Sequence, residues 1–292
     1  MKVTKAVILA AGLGTRMLPA TKAIPKELFP IVDKPALQYT VEEMVASGIT
    51  DILVVISRGK TLIEDHFDAS PELEDRLRAG GEKKAAILKE VEKISKLANI
   101  LYVRQPVMNG TGGAMLMAQA FTGNDPFLLA YGDDVIINDE YPVSKQCIDA
   151  YDEFGKGVIA VNEVSEDLIQ KYSTMDVKPI RENLYTVSDM IEKPTKEQII
   201  SLFSSLGRFV LPGNIYDYIA RTKVAENGEL QLTDSMKLMA NEEGMIAVDF
   251  IGTRYDMGNK LGVMKAQVEM ALKHPEIGAE FRTYLKEFAK EL

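Results

Sequence analysis

A single cysteine, Cys147, stands in a chain of 292 residues, so no internal disulfide can form and no thiolate cluster is available for zinc. It lies in Ser144-Lys145-Gln146-Cys147-Ile148, a helical-looking stretch where a packed thiol is expected rather than a nucleophile. Histidine is almost as scarce. His66 and His274 are the only two, and both fall in charged, helix-like surroundings where exposed positions are expected. A Ser-His-Asp or Cys-His mechanism has almost no material to work with. Long apolar runs are missing too, since no stretch approaches the roughly 20 apolar residues that cross a bilayer. The opening Lys2–Leu13 has two lysines and then apolar residues, but the run ends at Gly12 and leads into Thr15 and Arg16 with no polar cleavage region. A buried first strand explains it better than a signal peptide. These absences predict a cytoplasmic protein whose chemistry uses carboxylates, cations, backbone amides and a metal.

Excess positive charge is also lacking. A net charge of −9 argues against nucleic acid or an anionic membrane as partner, because both reward a basic surface. The distribution says more than the total. Residues 1–34 carry Lys2, Lys5, Arg16, Lys22, Lys26 and Lys34 against Glu27 and Asp33, a local charge of +4 that leaves −13 for the rest. A basic N-terminal segment on an acidic protein suits a small anionic ligand.

What is present is an ordinary globular balance, 46% hydrophobic and 26% charged, at a length that suits one large α/β domain. Short apolar runs at Lys5–Ala10, Asp51–Ser57, Asn99–Arg104, Pro126–Tyr131 and Gly157–Asn162 read as strands. Helical stretches at 35–47, Lys60–Phe67, Glu82–Leu97 and Gly112–Phe121 fill the gaps, the first framed by Pro35 and Gly48. This alternation predicts a mostly parallel, Rossmann-like central sheet flanked by helices, with ligands outside the carboxyl ends of the strands. After about residue 170 the rhythm changes. Met175–Ile180 and Leu184–Ile191 read as a hairpin, Met245–Ile251 as a further strand, and Gly258–Leu292 as two amphipathic helices. We expect a single domain over 1–292, in two halves at 1–165 and 166–257 with the second covering the site, and a C-terminal helical extension at 258–292.

The sharpest motif follows the first strand. Leu9-Ala10-Ala11-Gly12-Leu13-Gly14-Thr15-Arg16 combines glycines, which let backbone N–H groups approach an anion, with a guanidinium; Lys22 and Lys26 add ammonium groups. A dinucleotide fingerprint would need glycine at 17, where methionine stands. Gly59-Lys60-Thr61 mimics the end of a Walker A loop, but the earlier glycine would fall at Val54. Further along, Tyr131-Gly132-Asp133-Asp134 and Ile191-Glu192-Lys193-Pro194 each end a strand. Adjacent acids there suit Mg²⁺, which takes oxygen ligands and substrate phosphates, although the pair reads equally as a turn or helix cap.

Gly-x-Gly-Thr-Arg followed by Thr21-Lys22-Ala23-Ile24-Pro25-Lys26-Glu27 resembles the signature of sugar-phosphate nucleotidylyltransferases, in particular bacterial UTP–glucose-1-phosphate uridylyltransferases. The resemblance continues through Pro30–Pro35, Glu64-Asp65-His66-Phe67, Gly132-Asp133-Asp134, Glu192-Lys193-Pro194, Glu229–Asp234 and Gly252–Gly262, spanning nearly the whole chain. It implies the nucleotide-diphospho-sugar transferase fold, with 1–165 as the nucleotide-binding half and 166–257 as the sugar-binding half, and transfer of a uridylyl group from UTP to glucose 1-phosphate. It also implies Mg²⁺ as cofactor and a homodimer or higher homo-oligomer. Carried over residue by residue, it makes Arg16 and Lys26 catalytic, and Asp133 and Asp256 metal ligands. It places Ala11, Gly12, Gly14, Thr15, Glu27, Gln105 and Gly110 around the nucleotide, and Glu192, Lys193 and Ser173 around the sugar and its phosphate.

The chain departs from the pattern in two places. Where the family usually reads Leu-Gly-Leu-Gly-His-Ala, this chain has Asn109-Gly110-Thr111-Gly112-Gly113-Ala114, and where it has glycine after Lys-Tyr this chain has Ser173. Both bear on sugar identity and rate more than on reaction class. Competing expectations are the same chemistry with dTTP or another hexose 1-phosphate, a metal-dependent glycosyltransferase, and a non-catalytic nucleotide-binding homologue.

Overall fold

The computed structural model describes residues 2–291. Its thirteen strands in chain order are β1 (Lys5–Leu9), β2 (Pro30–Ile31), β3 (Lys34–Pro35), β4 (Asp51–Ile56), β5 (Asn99–Arg104), β6 (Phe127–Tyr131), β7 (Asp134–Ile137), β8 (Val158–Glu163), β9 (Ser173–Arg181), β10 (Leu184–Glu192), β11 (Phe203–Leu211), β12 (Met245–Asp249) and β13 (Thr253–Asp256). Nine of them form one sheet in the order β5-β4-β1-β6-β11-β8-β12-β10-β9. Only β11 and β10 oppose the common direction, so seven of the nine strands point the same way. The expected mostly parallel sheet, flanked by helices and followed by C-terminal helices, is what forms.

The central strands are apolar on both sides because both faces are covered. In β1, Ala6 and Ile8 enter one core, while Val7 and Leu9 enter the other. Leu37, Val41 and Met44 of the helix Ala36–Ala46 close the first core, with Val143, Cys147 and Ile148 of the helix Val143–Phe154. Tyr216, Leu232, Met236 and Met239, from the helices Ile215–Arg221 and Leu232–Glu243, close the second. Each fully buried aliphatic side chain contributes about 1.5–3 kcal/mol. Cys147 is buried as expected, and burial pushes its thiol well above the ordinary range.

Several expectations are corrected. The predicted helix Gly112–Phe121 is two short pieces, Thr111–Leu116 and Gln119–Thr122. Met245–Ile251 stops at Asp249, and its last residues bend toward a further strand, β13. The hairpin around Arg181–Asn183 is longer than expected at both ends, and Asn183 turns it with φ 61°. His66 is not exposed; its Nε2 lies 2.9 Å from Gln38 Oε1, and burial lowers its pKa. His274 sits 3.2 Å from Asp33 with its side chain only 16% exposed.

Candidate active site at the carboxyl ends of the strands

The segment after β1 is positioned by its neighbours. Ala10 N donates to Val55 O at 2.9 Å, and Gly132 N donates to Leu9 O at 3.0 Å, so the chain leaving β1 is pinned between β4 and β6. Gly14 then takes φ 66°, and a Cβ on it would lie 3.0 Å from Thr21 Cγ2, so both conformation and close approach demand glycine. Thr21 Oγ1 donates to Gly14 O at 2.8 Å and folds the loop back over itself. Short 3₁₀ turns at Thr15–Met17 and Lys26–Leu28 place Arg16 and Lys26 on this loop.

The acids arrive from far along the chain. β13 pairs antiparallel with β7, setting Asp256 opposite Asp134, and Met257 N donates to Asp133 O at 2.8 Å. This small ribbon brings Asp133 and Asp256 to the loop after β1. Lys26 Nζ is ion-paired with Asp133, and Arg16 Nη1 lies 3.7 Å from Asp256 Oδ2. Four of the expected site residues therefore converge. A Cβ on Gly258 would lie 2.5 Å from Arg16 Nη2, 2.6 Å from Asp133 Oδ2 and 2.9 Å from Asp256 Oδ1. The two carboxylates close on one point, with cations already drawn to it.

That arrangement fits a divalent cation. Among the described residues no group of three or more His, Cys, Asp or Glu side chains could hold a metal, so a cation here would have at most these two carboxylates from the protein. Mg²⁺ is bound in this way, through one or two carboxylates with water and substrate phosphates as the other ligands. Burial pushes the Asp256 carboxyl up, but hydrogen bonding from the Asn259 side chain and the nearby Arg254 and Arg16 outweigh it, so its pKa is lowered overall. Burial likewise opposes the charge on Lys26; Asp133 and Glu27 outweigh it and raise the ammonium pKa.

The neighbouring Asp134 is used differently. It is 6% exposed and bound by Arg254, whose Nε donates to Oδ1 at 2.7 Å. Arg254 also lies over the Tyr172 ring, 5.0 Å from its centroid, and Tyr172 Oη donates to Asp256 Oδ2 at 3.0 Å. Adjacent acids thus part company: Asp133 faces the loop cations and Asp134 anchors a buried network.

Glu27 lies beneath the loop. It is completely buried, and both its oxygens accept from Lys60 Nζ, at 2.9 and 2.8 Å. Lys60 also donates to the Ala10 carbonyl, so it ties the end of β1 to the turn that carries Lys26. Burial raises the Glu27 pKa and lowers that of Lys60, each charge limiting the other's shift. Lys60 and Arg254 escaped the sequence reading. The available signal was a lysine four residues past the end of β4, in Gly59-Lys60-Thr61.

Gln105 and Gly110 lie together beyond β5, where Gln105 Nε2 donates to Gly110 O at 3.3 Å. Glu192 ends β10 and accepts from Thr233 Oγ1 at 2.9 Å; burial raises its pKa, and the Thr233 hydroxyl and Lys193 oppose that rise. Lys193 takes φ 44°, a conformation costing a non-glycine residue of order 1–3 kcal/mol. Its N–H donates to Tyr172 O at 2.7 Å, which holds it there. Ser173 faces Glu192 across β9–β10 but is 2% exposed, and its Oγ accepts from Ser205 N at 3.2 Å. Its hydroxyl is committed within the sheet and not open to a ligand. Its φ is not positive, so Cβ carries no strain there.

The sequence profile of the family described as nucleotidyl transferase matches residues 5–272. The chain belongs to this family. A UTP–glucose-1-phosphate uridylyltransferase of Bacillus subtilis, YngB, is 44% identical over 289 residues, which is 99% of this chain and 96% of that protein. A Staphylococcus epidermidis protein of the same description is 44% identical over 286 residues, 98% of both chains. Among solved structures, a UTP-bound UGPase from Acinetobacter baumannii superposes with a TM-score of 0.89 at 34% identity, covering 98% of this chain and 99% of that one. A UDP-glucose pyrophosphorylase complexed with UDP-glucose gives 0.85 at 36% identity, covering 93% of this chain and 100% of that one. In this family member no helix among the described residues is long and apolar enough to cross a membrane.

Proposed function

We propose that this chain transfers the uridylyl group of UTP to glucose 1-phosphate, forming UDP-glucose and releasing pyrophosphate, with Mg²⁺ bound by Asp133 and Asp256. The observation that carries the reading is the convergence of Arg16 and Lys26 with Asp133 and Asp256 where the first strand ends. The relatives' substrates point the same way.

A glucose 1-phosphate oxygen attacks the α-phosphorus in line, the bond to the β-phosphate oxygen breaks, and pyrophosphate leaves. The nucleophile is already anionic, so no general base is needed, in keeping with the scarcity of histidine. The remaining difficulty is mutual repulsion. Two like charges about 4 Å apart repel by roughly 4 kcal/mol at an effective dielectric of about 20. Arg16 and Lys26 offset this at the triphosphate, while Gly12, Gly14 and Thr15 offer backbone amides. Mg²⁺, when bound, supplies further positive charge against the phosphate oxygens. In the resting protein the two cations neutralise the two carboxylates; with both substrates present they turn to phosphate.

The base lies against Gln105, Gly110 and the backbone at Ala11 and Gly12, and Glu27 shapes that side from below through Lys60. Glu192 accepts from sugar hydroxyls and Lys193 meets the sugar phosphate. Residues 1–165 thus hold the nucleotide and 166–257 the sugar. The test is a matrix of UTP, dTTP and CTP against glucose, galactose and N-acetylglucosamine 1-phosphates, with and without Mg²⁺, following pyrophosphate release. UTP with glucose 1-phosphate and Mg²⁺ should give the highest kcat/KM; preference for dTTP or another sugar, or no release at all, overturns the assignment.

A further inference from the structure

We propose that Asn109 is a positioning residue that presents Gln105 to the base as a hydrogen-bond acceptor, and that residue 113 is glycine to leave Asn109 its place. The proposal rests on the nucleotide-binding reading above. Gln105 is 5% exposed, and its main chain is fixed by a 2.8 Å hydrogen bond from its N–H to Ile56 O. Its Nε2 donates to Asn109 Oδ1 at 3.0 Å and to Gly110 O at 3.3 Å. A backbone carbonyl can only accept, so the amide must turn its NH₂ toward these two oxygens. Its Oε1 then points away from them.

An acceptor fixed there selects a base. Uracil offers an N3–H donor, whereas cytosine has an acceptor lone pair at N3. Gln105 held in this orientation satisfies the first and leaves two acceptors facing each other with the second. A freely rotating glutamine amide would serve both.

Asn109 is itself held in place. Leu230 N donates to Asn109 O at 2.7 Å, Gly112 N to Leu230 O at 2.8 Å, and Leu232 N to Thr111 Oγ1 at 3.0 Å, so residues 109–112 are zipped to 230–232. The Asn109 side chain then fills the space where a Cβ on Gly113 would stand. Asparagine at 109 and glycine at 113 are therefore sterically coupled in this chain. The glycine carries no positive φ, so the backbone at 113 does not require it; the Asn109 side chain does.

The test uses the intact chain with Mg²⁺, measuring kcat and KM for UTP and CTP alongside calorimetric binding of each nucleotide. Asn109→Ala removes the shorter of the two bonds and leaves only the 3.3 Å contact with Gly110 O to hold the amide, so it should raise KM for UTP about tenfold with a smaller change in kcat, and narrow the UTP-to-CTP ratio by a similar factor. Asn109→Asp keeps an acceptor oxygen and should restore most of the ratio. Gly113→Ala should reproduce the Asn109→Ala phenotype by displacing the side chain, and the double variant should be no worse than either single one. An unchanged UTP-to-CTP ratio in Asn109→Ala, or losses that add in the double variant, overturns the proposal. A wild-type chain that binds UTP without turning it over refutes the activity, yet the calorimetric ratios still decide the role of Asn109. One that binds no UTP refutes both.

Discussion

Replacing Lys26 with methionine removes a charge while nearly keeping the side chain's length and its packing under Gly12 and Gly14, whose missing Cβ atoms would lie 3.8 Å from its Nζ and 3.4 Å from its stem. The magnitude follows from burial. The side chains of Lys26 and Asp133 are 14% and 15% exposed, so solvent screens this charge poorly. A cation about 4 Å from a phosphate oxygen is worth roughly 4 kcal/mol at an effective dielectric of about 20. Lys26 must first leave Asp133, which offsets part of that gain, so about 2–4 kcal/mol should be lost from the transition state. At about 1.4 kcal/mol per decade this lowers kcat/KM by roughly 30- to 1,000-fold. The assay is steady-state pyrophosphate release at saturating Mg²⁺, with circular dichroism to show an intact fold. The substitution also strips Asp133 of its partner, so Tm without metal should fall and Mg²⁺ should recover more of it than in wild type. Turnover within threefold of wild type would refute the reasoning. Arg16 is 59% exposed, and Arg16→Ala should change stability far less than Lys26→Met.

Other consequences are equally direct. Because the Glu192 pKa is raised, its ionised form opposes folding at neutral pH: the contribution of its protonated form is complete below the ordinary glutamate pKa and is lost as pH rises through the folded value. Glu192→Gln should therefore raise Tm at pH 8 while weakening UDP-glucose binding about tenfold, and should abolish the acid limb of that binding, which in wild type begins above pH 4.5; melts and titrations across pH check both. The Asp256 pKa is lowered, so its stabilisation is present above the ordinary aspartate value and disappears as pH falls through the folded one; acid melts of Asp256→Asn should lack that component. Arg208 is completely buried, with Nη2 donating to Glu43 Oε2 at 2.6 Å while Ser144 Oγ donates to Oε1 at 2.7 Å. Arg208→Ala leaves that carboxylate uncompensated and should cost about 3–5 kcal/mol in urea unfolding, whereas pairing Arg208→Met with Glu43→Leu should recover most of it. Gly258→Ala puts a methyl group between the two carboxylates and should raise the Mg²⁺ concentration for half-maximal activity at least about tenfold, with a loss of about 1–3 kcal/mol of stability from the crowding.

The strands buried on both faces were legible because nothing interrupts them: Ala6–Leu9, Ile52–Ile56 and Phe127–Ala130 are continuous apolar runs. β11 was not. Its sequence Phe-Ser-Ser-Leu-Gly-Arg-Phe-Val-Leu is broken by Gly207 at φ 82° and by Arg208, whose charge is paired with Glu43 on a helix distant in sequence. β7 and β13 are four residues each, too short to show a period, and they exist because each pairs with the other. The helix Pro71–Ala79 buries no residue and carries no apolar stripe to find.

The candidate site followed the same division. The loop around Arg16 and Lys26 was readable as local sequence, because glycines and cations cluster within a few residues of a strand. Its meeting with Asp256, by contrast, depends on the β7–β13 ribbon, and the motif resemblance alone brought that residue forward. Lys60 was discounted for want of a complete Walker loop, yet its burial beneath the turn is a tertiary fact that no spacing encodes. Ser173 was expected at the sugar because a glycine is usual there, and the sheet turns its hydroxyl inward instead.

The most direct measurement is a crystal structure of the chain with UTP and Mg²⁺. The account predicts the triphosphate over residues 11–16, Arg16 and Lys26 on its oxygens, and Lys26 moved away from Asp133. A triphosphate bound anywhere else, with the Lys26–Asp133 pair intact, would contradict it.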